Sequence, residues 1–194
     1  MRISVSKAAA LFLPILFLSL ALNAFGQRRD YLTDSEIELV RDAQEIDQRM
    51  NVLTMAIDRR MVVLNLGSED KGKKYGDKWG EAPTGSRLEL LTDVKSLLQK
   101  AIDDIDDASS HESENAENKV SGPLFPKAVR ILAAAAERYR PMLKSALDSA
   151  KDDKEKGPIL ASIDFCDQIT EASAKLPKEA AKPEKKKRSK DNGN

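Results

Sequence analysis

The chain has 194 residues, of which 41% are apolar, 33% are charged and only 5% are aromatic. This length fits one ordinary domain, and a composition poor in aromatic residues but rich in Ala, Leu, Lys, Glu and Asp favours helices over strands. Residues 27–174 contain 22 basic and 29 acidic residues, a net charge of −7. That charge argues against a nucleic-acid-binding domain, because duplex binding depends on cations that neutralise phosphates.

Residues 1–26 have the pattern of a cleavable signal peptide. Arg2 and Lys7 give a positive start, residues 8–22 are apolar, and Ala24-Phe25-Gly26 places small residues at −3 and −1 of a cut before Gln27. We therefore expect an exported protein, periplasmic or extracellular, that begins at Gln27. The alternative is a retained membrane anchor, for which the apolar stretch is shorter than roughly 20 residues and is interrupted by a proline.

The first predicted helix covers about residues 34–66. Thr33 and Glu36 have the spacing of a capping box, in which each side chain bonds the backbone N–H of the other residue. Gly67 is the predicted end of the helix, and the glycines and proline between residues 67 and 86 predict a loop. Apolar residues recur at steps of three and four along this helix: Leu39, Ala43, Ile46, Met50, Leu53, Ile57, Met61 and Leu64.

The start of this helix also carries a resemblance to known proteins. The segment from Tyr31 to Glu38, with Arg41 to Glu45 after it, resembles uncharacterised bacterial exported helical proteins. The resemblance covers the start of one helix and implies neither an activity nor site residues.

Three further helices are predicted. The second covers about residues 86–108 and is followed by a polar loop, Ser109 to Gly122. The third has Pro126 in its first turn and continues, with a kink, through Pro141. Apolar residues recur at steps of three and four along both helices: Leu88, Leu91, Val94, Leu98, Ile102 and Ile105 in the second, and Val129, Leu132, Ala136, Tyr139, Leu143, Ala146 and Ala150 in the third. Gly157-Pro158 is predicted to close this helix and to open the last one, about residues 158–175. Four amphipathic helices predict an all-α fold, either an antiparallel four-helix bundle or packed helical hairpins, within a domain of residues 27–176.

His111 and Cys166 are the only histidine and the only cysteine of the sequence. Cys166 shares a helix face with three isoleucines, which predicts a buried structural thiol. His111 lies in the acidic segment 103–117, where carboxylates and one imidazole suggest a metal or small-ligand site. The calcium-loop spacing and a second histidine are missing, so we expect a solvated helix end instead and assign no metal ligand and no cofactor.

The loop after the first helix contains a candidate binding segment. Cations alternate there with aromatic side chains that could stack on a ligand. The alternative is that Trp79 folds back over one end of the bundle, as tryptophan is on average highly buried. The candidate residues are Lys73, Lys74, Tyr75, Lys78 and Trp79.

Residues 177–194 form a tail rich in Lys, Pro and Glu, which we expect to be disordered. Its basic run could contact an envelope polyanion or the surface of a membrane, although charged tails are usually only solvated. The candidate contact residues are Lys185, Lys186, Lys187 and Arg188.

No sequence motif for nucleophilic, phosphate-binding or dinucleotide-binding chemistry is present. We therefore expect a non-enzymatic exported bundle that binds or scaffolds an unknown protein or an envelope polyanion. The alternatives are a metal- or small-ligand-binding bundle that uses segment 103–117, and an enzyme with an unrecognised carboxylate site. The continuous apolar stripes would also allow self-association through helix faces.

Overall fold

The computed structural model describes residues 29–67, 76–114 and 124–177, without the side chains of residues 111–114 and 124. The predicted leader and its cut site lie outside these residues, as does the tail beyond Pro177. A compact unit begins at Tyr31. Its regular elements are α1 (Asp34–Asp42), α2 (Ile46–Val63), a 3-10 turn (Asp77–Trp79), α3 (Arg87–Glu114), α4 (Leu124–Asp148) and α5 (Asp153–Ala174). The all-α prediction is confirmed for the described part of the chain.

The predicted single helix 34–66 is wrong, because the chain leaves the helical conformation between Asp42 and Ile46. Ala43 has ψ 83°, and Gln44 N–H bonds the carbonyl of Asp42 at 3.0 Å in a tight turn. The break lets α1 fold back onto α2. In an unbroken helix, residues 36 and 60 would lie about 36 Å apart, whereas here their side chains are bonded to each other.

The end of α2 is set by Asn65 and not by Gly67. Asn65 has φ 57°, a left-handed conformation that Asn tolerates better than most residues. Its N–H bonds the carbonyl of Val62 at 3.0 Å, and the N–H of Leu66 bonds the carbonyl of Met61 at 2.9 Å. This pair of bonds is a Schellman motif, which satisfies carbonyls that the helix end would leave unpaired.

Helix α3 is longer than predicted at its carboxyl end. It begins after Ser86, which forms a capping box with Glu89. It continues through Glu114, so the predicted start of the loop at Ser109 is wrong, and residues 115–122 of that loop lie outside the described residues. The Ser109 and Ser110 hydroxyls each donate to the carbonyl of Asp106 at 2.9 Å. Such bonds can compete with helical backbone bonds, but here the helix continues past both serines.

Gly157-Pro158 lies inside a helix, which contradicts the predicted boundary. Helix α5 begins at Asp153, and the side chain of Asp152 caps it by accepting from Lys154 N–H at 2.9 Å. Pro158 removes one backbone hydrogen bond near the start of α5, but the helix continues because its inward face is packed. Helix α4 likewise runs through Pro141, which is exposed and which the apolar stripe spans as predicted.

The four long helices form a bundle in which α2 and α5 each pack on α3 and α4. Ion pairs between α2 and α4 join Asp47 to Lys127 and Asp58 to Arg138, so these two helices run in parallel. Arg140 pairs with Asp167, whereas the earlier Arg130 bonds the later Pro177, so α4 and α5 run in opposite directions. The core contains most of the predicted stripe residues, among them Met50, Leu53, Ile57, Leu91, Val94, Leu98, Leu132, Tyr139, Leu143, Ile159 and Cys166.

Candidate functional site

A buried ionic cluster joins α1, α2 and α3. The Glu36 side chain has no exposed surface, and it accepts three bonds of 2.7 Å from guanidinium groups. One comes from Arg59 and two, one to each carboxylate oxygen, come from Arg60. The backbone N–H of Thr33 donates a fourth bond at 3.0 Å. The carboxylate thus uses its acceptor capacity fully, which offsets part of the hydration that it loses on burial.

Arg60 connects the cluster to two further segments. Its Nη2 donates to the carbonyl of Tyr31 at 2.6 Å, and its Nη1 donates to the carbonyl of Ala56 at 2.9 Å. Its Nε lies 3.8 Å from Oδ2 of Asp93, which is also buried. Two carboxylates therefore balance two guanidinium groups, and the cluster is neutral overall.

Arg59 fastens the 3-10 turn to the same cluster. It donates to the carbonyls of Gly80 and Glu81, and its guanidinium carbon lies 5.5 Å from the centre of the Trp79 ring. Gly80 has φ 60°, and a Cβ there would collide with the hydroxyl of Ser35 on α1. The turn, α1 and α2 are therefore tied together.

Spacing in the sequence predicts only a capping role for Glu36 and does not predict this cluster. A signal was present at Arg60, which lies three residues after Ile57 and four before Leu64, inside the apolar stripe. A basic residue at such a position has to find a buried partner. The identity of that partner depends on the break between α1 and α2, which no sequence pattern indicated.

An apolar cleft of about 280 Å³ lies where the carboxyl end of α3 meets the start of α4 and the end of α5. Only two of its lining residues are polar, Asp106 on α3 and Gln168 on α5, and both are exposed. Pocket residues of this kind are typical of small-molecule sites, whose walls are mostly apolar with few polar groups. The apolar lining consists of Ile102, Ile105, Phe125, Val129, Leu132, Ile169, Ala172 and Leu176.

A second, more open pocket of about 390 Å³ has polar walls. It lies between Tyr31 and a face of α3, and it shares no lining residue with the apolar cleft. The backbone carbonyl of Tyr31 is held by the ionic cluster through Arg60. The remaining lining residues are Lys95, Ser96, Gln99, Lys100 and Asp103.

Cys166 is buried, as predicted. Burial raises the pKa of its thiol to about 12, the negative charge of Asp167 adds to this shift, and Arg140 opposes it. The thiol is therefore protonated at neutral pH, which removes the thiolate that nucleophilic catalysis or metal binding would need.

Only part of the predicted binding loop lies within the described residues. Trp79 is buried under Arg59 and folds back onto the helices, as the alternative interpretation had it, while Lys78 is exposed. Lys73, Lys74 and Tyr75 lie outside the described residues. So do the basic run Lys185 to Arg188 and the side chain of His111.

The described residues contain no group of three or more His, Cys, Asp or Glu side chains that could hold a metal ion. None of the helices described has both the length and the apolar character that crossing a membrane would require.

Comparisons with protein-family models, with curated proteins and with solved structures find no match to this chain. The resemblance of the segment around Tyr31 to exported helical proteins therefore stays a prediction.

Proposed function

We propose that this protein is an exported, non-enzymatic helical bundle that binds a small ligand in the apolar cleft at the ends of α3, α4 and α5. The ligand has an apolar body and a positively charged group. The cleft is the observation that carries the proposal, because its walls are apolar on all three helices and its rim includes the carboxylate of Asp106.

The size and chemistry of the cleft support this ligand class. A volume of about 280 Å³ is close to the lower end of small-molecule sites, roughly 300 Å³. Burying an apolar body there would release water from eight hydrophobic side chains. A cation on the ligand would lie near Asp106, which belongs to the acidic segment 103–117 that suggested small-ligand binding.

We propose a non-enzymatic role on the basis of the apolar cleft, the polar pocket and the Cys166 thiol. The apolar cleft contains one carboxylate, Asp106, and the polar pocket contains one, Asp103. Neither therefore offers the pair of converging acids that carboxylate catalysis uses. Cys166 is protonated and buried, and so it is a poor nucleophile.

Export to the periplasm or beyond is proposed from the leader pattern of residues 1–26. Action in the cell envelope, with an unknown protein or a polyanion as a further partner, follows from that location and from the basic tail. The stripe faces that suggested self-association are largely occupied in the bundle core, and homo-oligomerisation stays a prediction.

A matched pair of probes tests the cleft. 4-Phenylbutylamine and 4-phenylbutyrate share an apolar body and differ in the sign of their charge. NMR titration of the labelled protein should show the amine shifting amide signals along the cleft, with weaker binding of the acid. Asp106→Asn should remove the preference for the amine.

Two tryptophan variants separate binding in the cleft from binding elsewhere. Ala172→Trp fills the cleft from an exposed position on α5 and should abolish binding of the amine. Ala134→Trp is the control, since Ala134 is exposed on α4 and does not line the cleft. Unchanged binding of the amine to Ala172→Trp would refute the proposed site.

A further inference from the structure

A second binding site is suggested by the polar pocket between Tyr31 and α3. We propose that this pocket binds an acidic monosaccharide unit, with the anionic group at Lys95 and the sugar ring against Tyr31. This site is separate from the apolar cleft, because the two share no residue and take ligands of different chemistry.

Lys95 supplies the cation for the anionic group. It is partly buried, and among the described residues its ammonium group has no hydrogen-bond or ion-pair partner. The neighbouring polar groups are already paired: Lys100 bonds Asp104 at 3.1 Å, and Gln99 bonds Asp103 at 2.7 Å. A cation without a carboxylate partner is a favourable place for an anion to bind, because the anion can accept charge-assisted hydrogen bonds from it.

Tyr31 lines the pocket, its side chain is partly buried against the core, and its backbone is fixed. Its carbonyl accepts from Nη2 of Arg60 at 2.6 Å, and Arg60 is itself held by both carboxylate oxygens of Glu36. The buried cluster thereby anchors Tyr31 beside α3 before any ligand arrives, which reduces the ordering cost of binding. An aromatic ring offers an apolar face to a sugar and a hydroxyl at its edge.

The rest of the pocket suits a hydroxylated ring. Ser96 and Gln99 can each donate and accept hydrogen bonds, and Asp103 accepts them. Sugar hydroxyls also do both. The volume of about 390 Å³ leaves room for one sugar unit and ordered water, as small-molecule sites begin at roughly 300 Å³.

The first test compares three probes on the protein expressed from its full sequence. Glucuronate carries the ring and the carboxylate, glucose carries the ring alone, and acetate carries the carboxylate alone. By NMR titration, glucuronate should bind roughly tenfold more tightly than either, since each missing half removes a contact worth about one charge-assisted hydrogen bond. Equal affinity for glucuronate and glucose, or for glucuronate and acetate, would overturn the proposal.

The second test removes the cation. Lys95→Met keeps the length and apolar stem of the side chain and should lower the affinity for glucuronate to that for glucose. Lys144→Met is the control, because Lys144 is exposed on α4 and lies outside the pocket. If Lys95→Met fails to fold, amide shifts at Tyr31, Lys95 and Gln99 in the wild-type titration decide instead. Shifts elsewhere with none at these residues would overturn the proposal.

Discussion

Glu36 and Arg60 form a two-point ion pair, with both nitrogen–oxygen distances 2.7 Å and almost no exposed surface on either side chain. They lie on different helices, so their bond holds α1 against α2. A buried carboxylate and a buried guanidinium each lose hydration on folding. Removing either partner therefore leaves the other charge buried without compensation and destabilises the fold.

Glu36→Gln should therefore lower the free energy of unfolding by roughly 3–5 kcal/mol, the cost of leaving buried charges without their partner. Glutamine can still close the capping box with Thr33, so the substitution isolates the ion pair from the helix cap. Urea unfolding followed by circular dichroism measures the effect.

Glu38→Gln is the matched control. Glu38 is exposed and pairs with Arg41 on the surface of α1, and we expect a change below about 1 kcal/mol. If the two substitutions cost the same, the Glu36 cluster does not hold α1 in place.

The contribution of the core can be measured at Leu53, which has no exposed surface in the middle of α2. Leu53→Ala should lower the free energy of unfolding by roughly 2–5 kcal/mol, through lost burial and the cavity that remains. Leu143→Ala on α4 should behave alike. Leu160→Ala is the control, as Leu160 is exposed on α5. If Leu53→Ala unfolded at the same urea midpoint as this control, the helix register would be wrong.

The periodic residues were predictable because each helix buries one face, and spacing alone reveals that face. Leu53, Leu98 and Leu143 were identified in this way, and all three are buried. Glycine and proline residues predicted the ends of the helices less well. Gly157-Pro158 lies within α5 because packing of Ile159 and the residues after it outweighs the weak helix propensity of the pair.

The ionic cluster and the two pockets depend on contacts between distant segments, which spacing does not reveal. Glu36 reaches Arg60 only because the chain turns back at Ala43. The apolar cleft is made by the ends of three helices, and the polar pocket by Tyr31 and the middle of α3. To predict the cluster or either pocket, one would need to know how the helices are oriented relative to one another, and the spacing of residues does not give that orientation.

A pH-dependent contribution is expected from Asp47 at the start of α2. The hydrogen bond from Lys127 lowers the pKa of Asp47 below 3.8, with burial opposing the shift. A carboxylate whose pKa is lower in the folded state stabilises the fold above its unfolded pKa, and that contribution is lost as the pH falls through the folded pKa. The stability difference between the wild type and Asp47→Asn should therefore be largest near neutral pH and should decline below about pH 4.

Lys127→Met provides the background that isolates this pair. With the ammonium group removed, the pH dependence of the Asp47→Asn effect should flatten, as a double-mutant cycle of unfolding free energies at several pH values would show. The coupling energy should be below about 1 kcal/mol, because Lys127 is largely exposed. An unchanged pH profile in the Lys127→Met background would mean that another group causes the shift.

The basic tail gives the last prediction. Residues 178–194 contain seven basic and three acidic residues, whereas residues 27–174 carry a net charge of −7. Near an anionic surface each Lys or Arg contributes about 1 kcal/mol, and salt weakens this attraction because the screening length is only about 10 Å at 0.1 M. The protein should therefore sediment with vesicles that contain anionic lipid, less with neutral vesicles, and less in high salt.

The matched truncation ends at Pro177, since the carbonyl of Pro177 accepts a bond of 2.7 Å from Arg130 on α4 and should be kept. Loss of residues 178–194 should abolish the salt-dependent sedimentation and leave the helical spectrum unchanged, because a segment this rich in Lys, Pro and Glu is expected to bury too little apolar surface to fold. Equal sedimentation of the two proteins at every salt concentration would show that the tail does not bind anionic surfaces and acts at most as a solvated, charged extension.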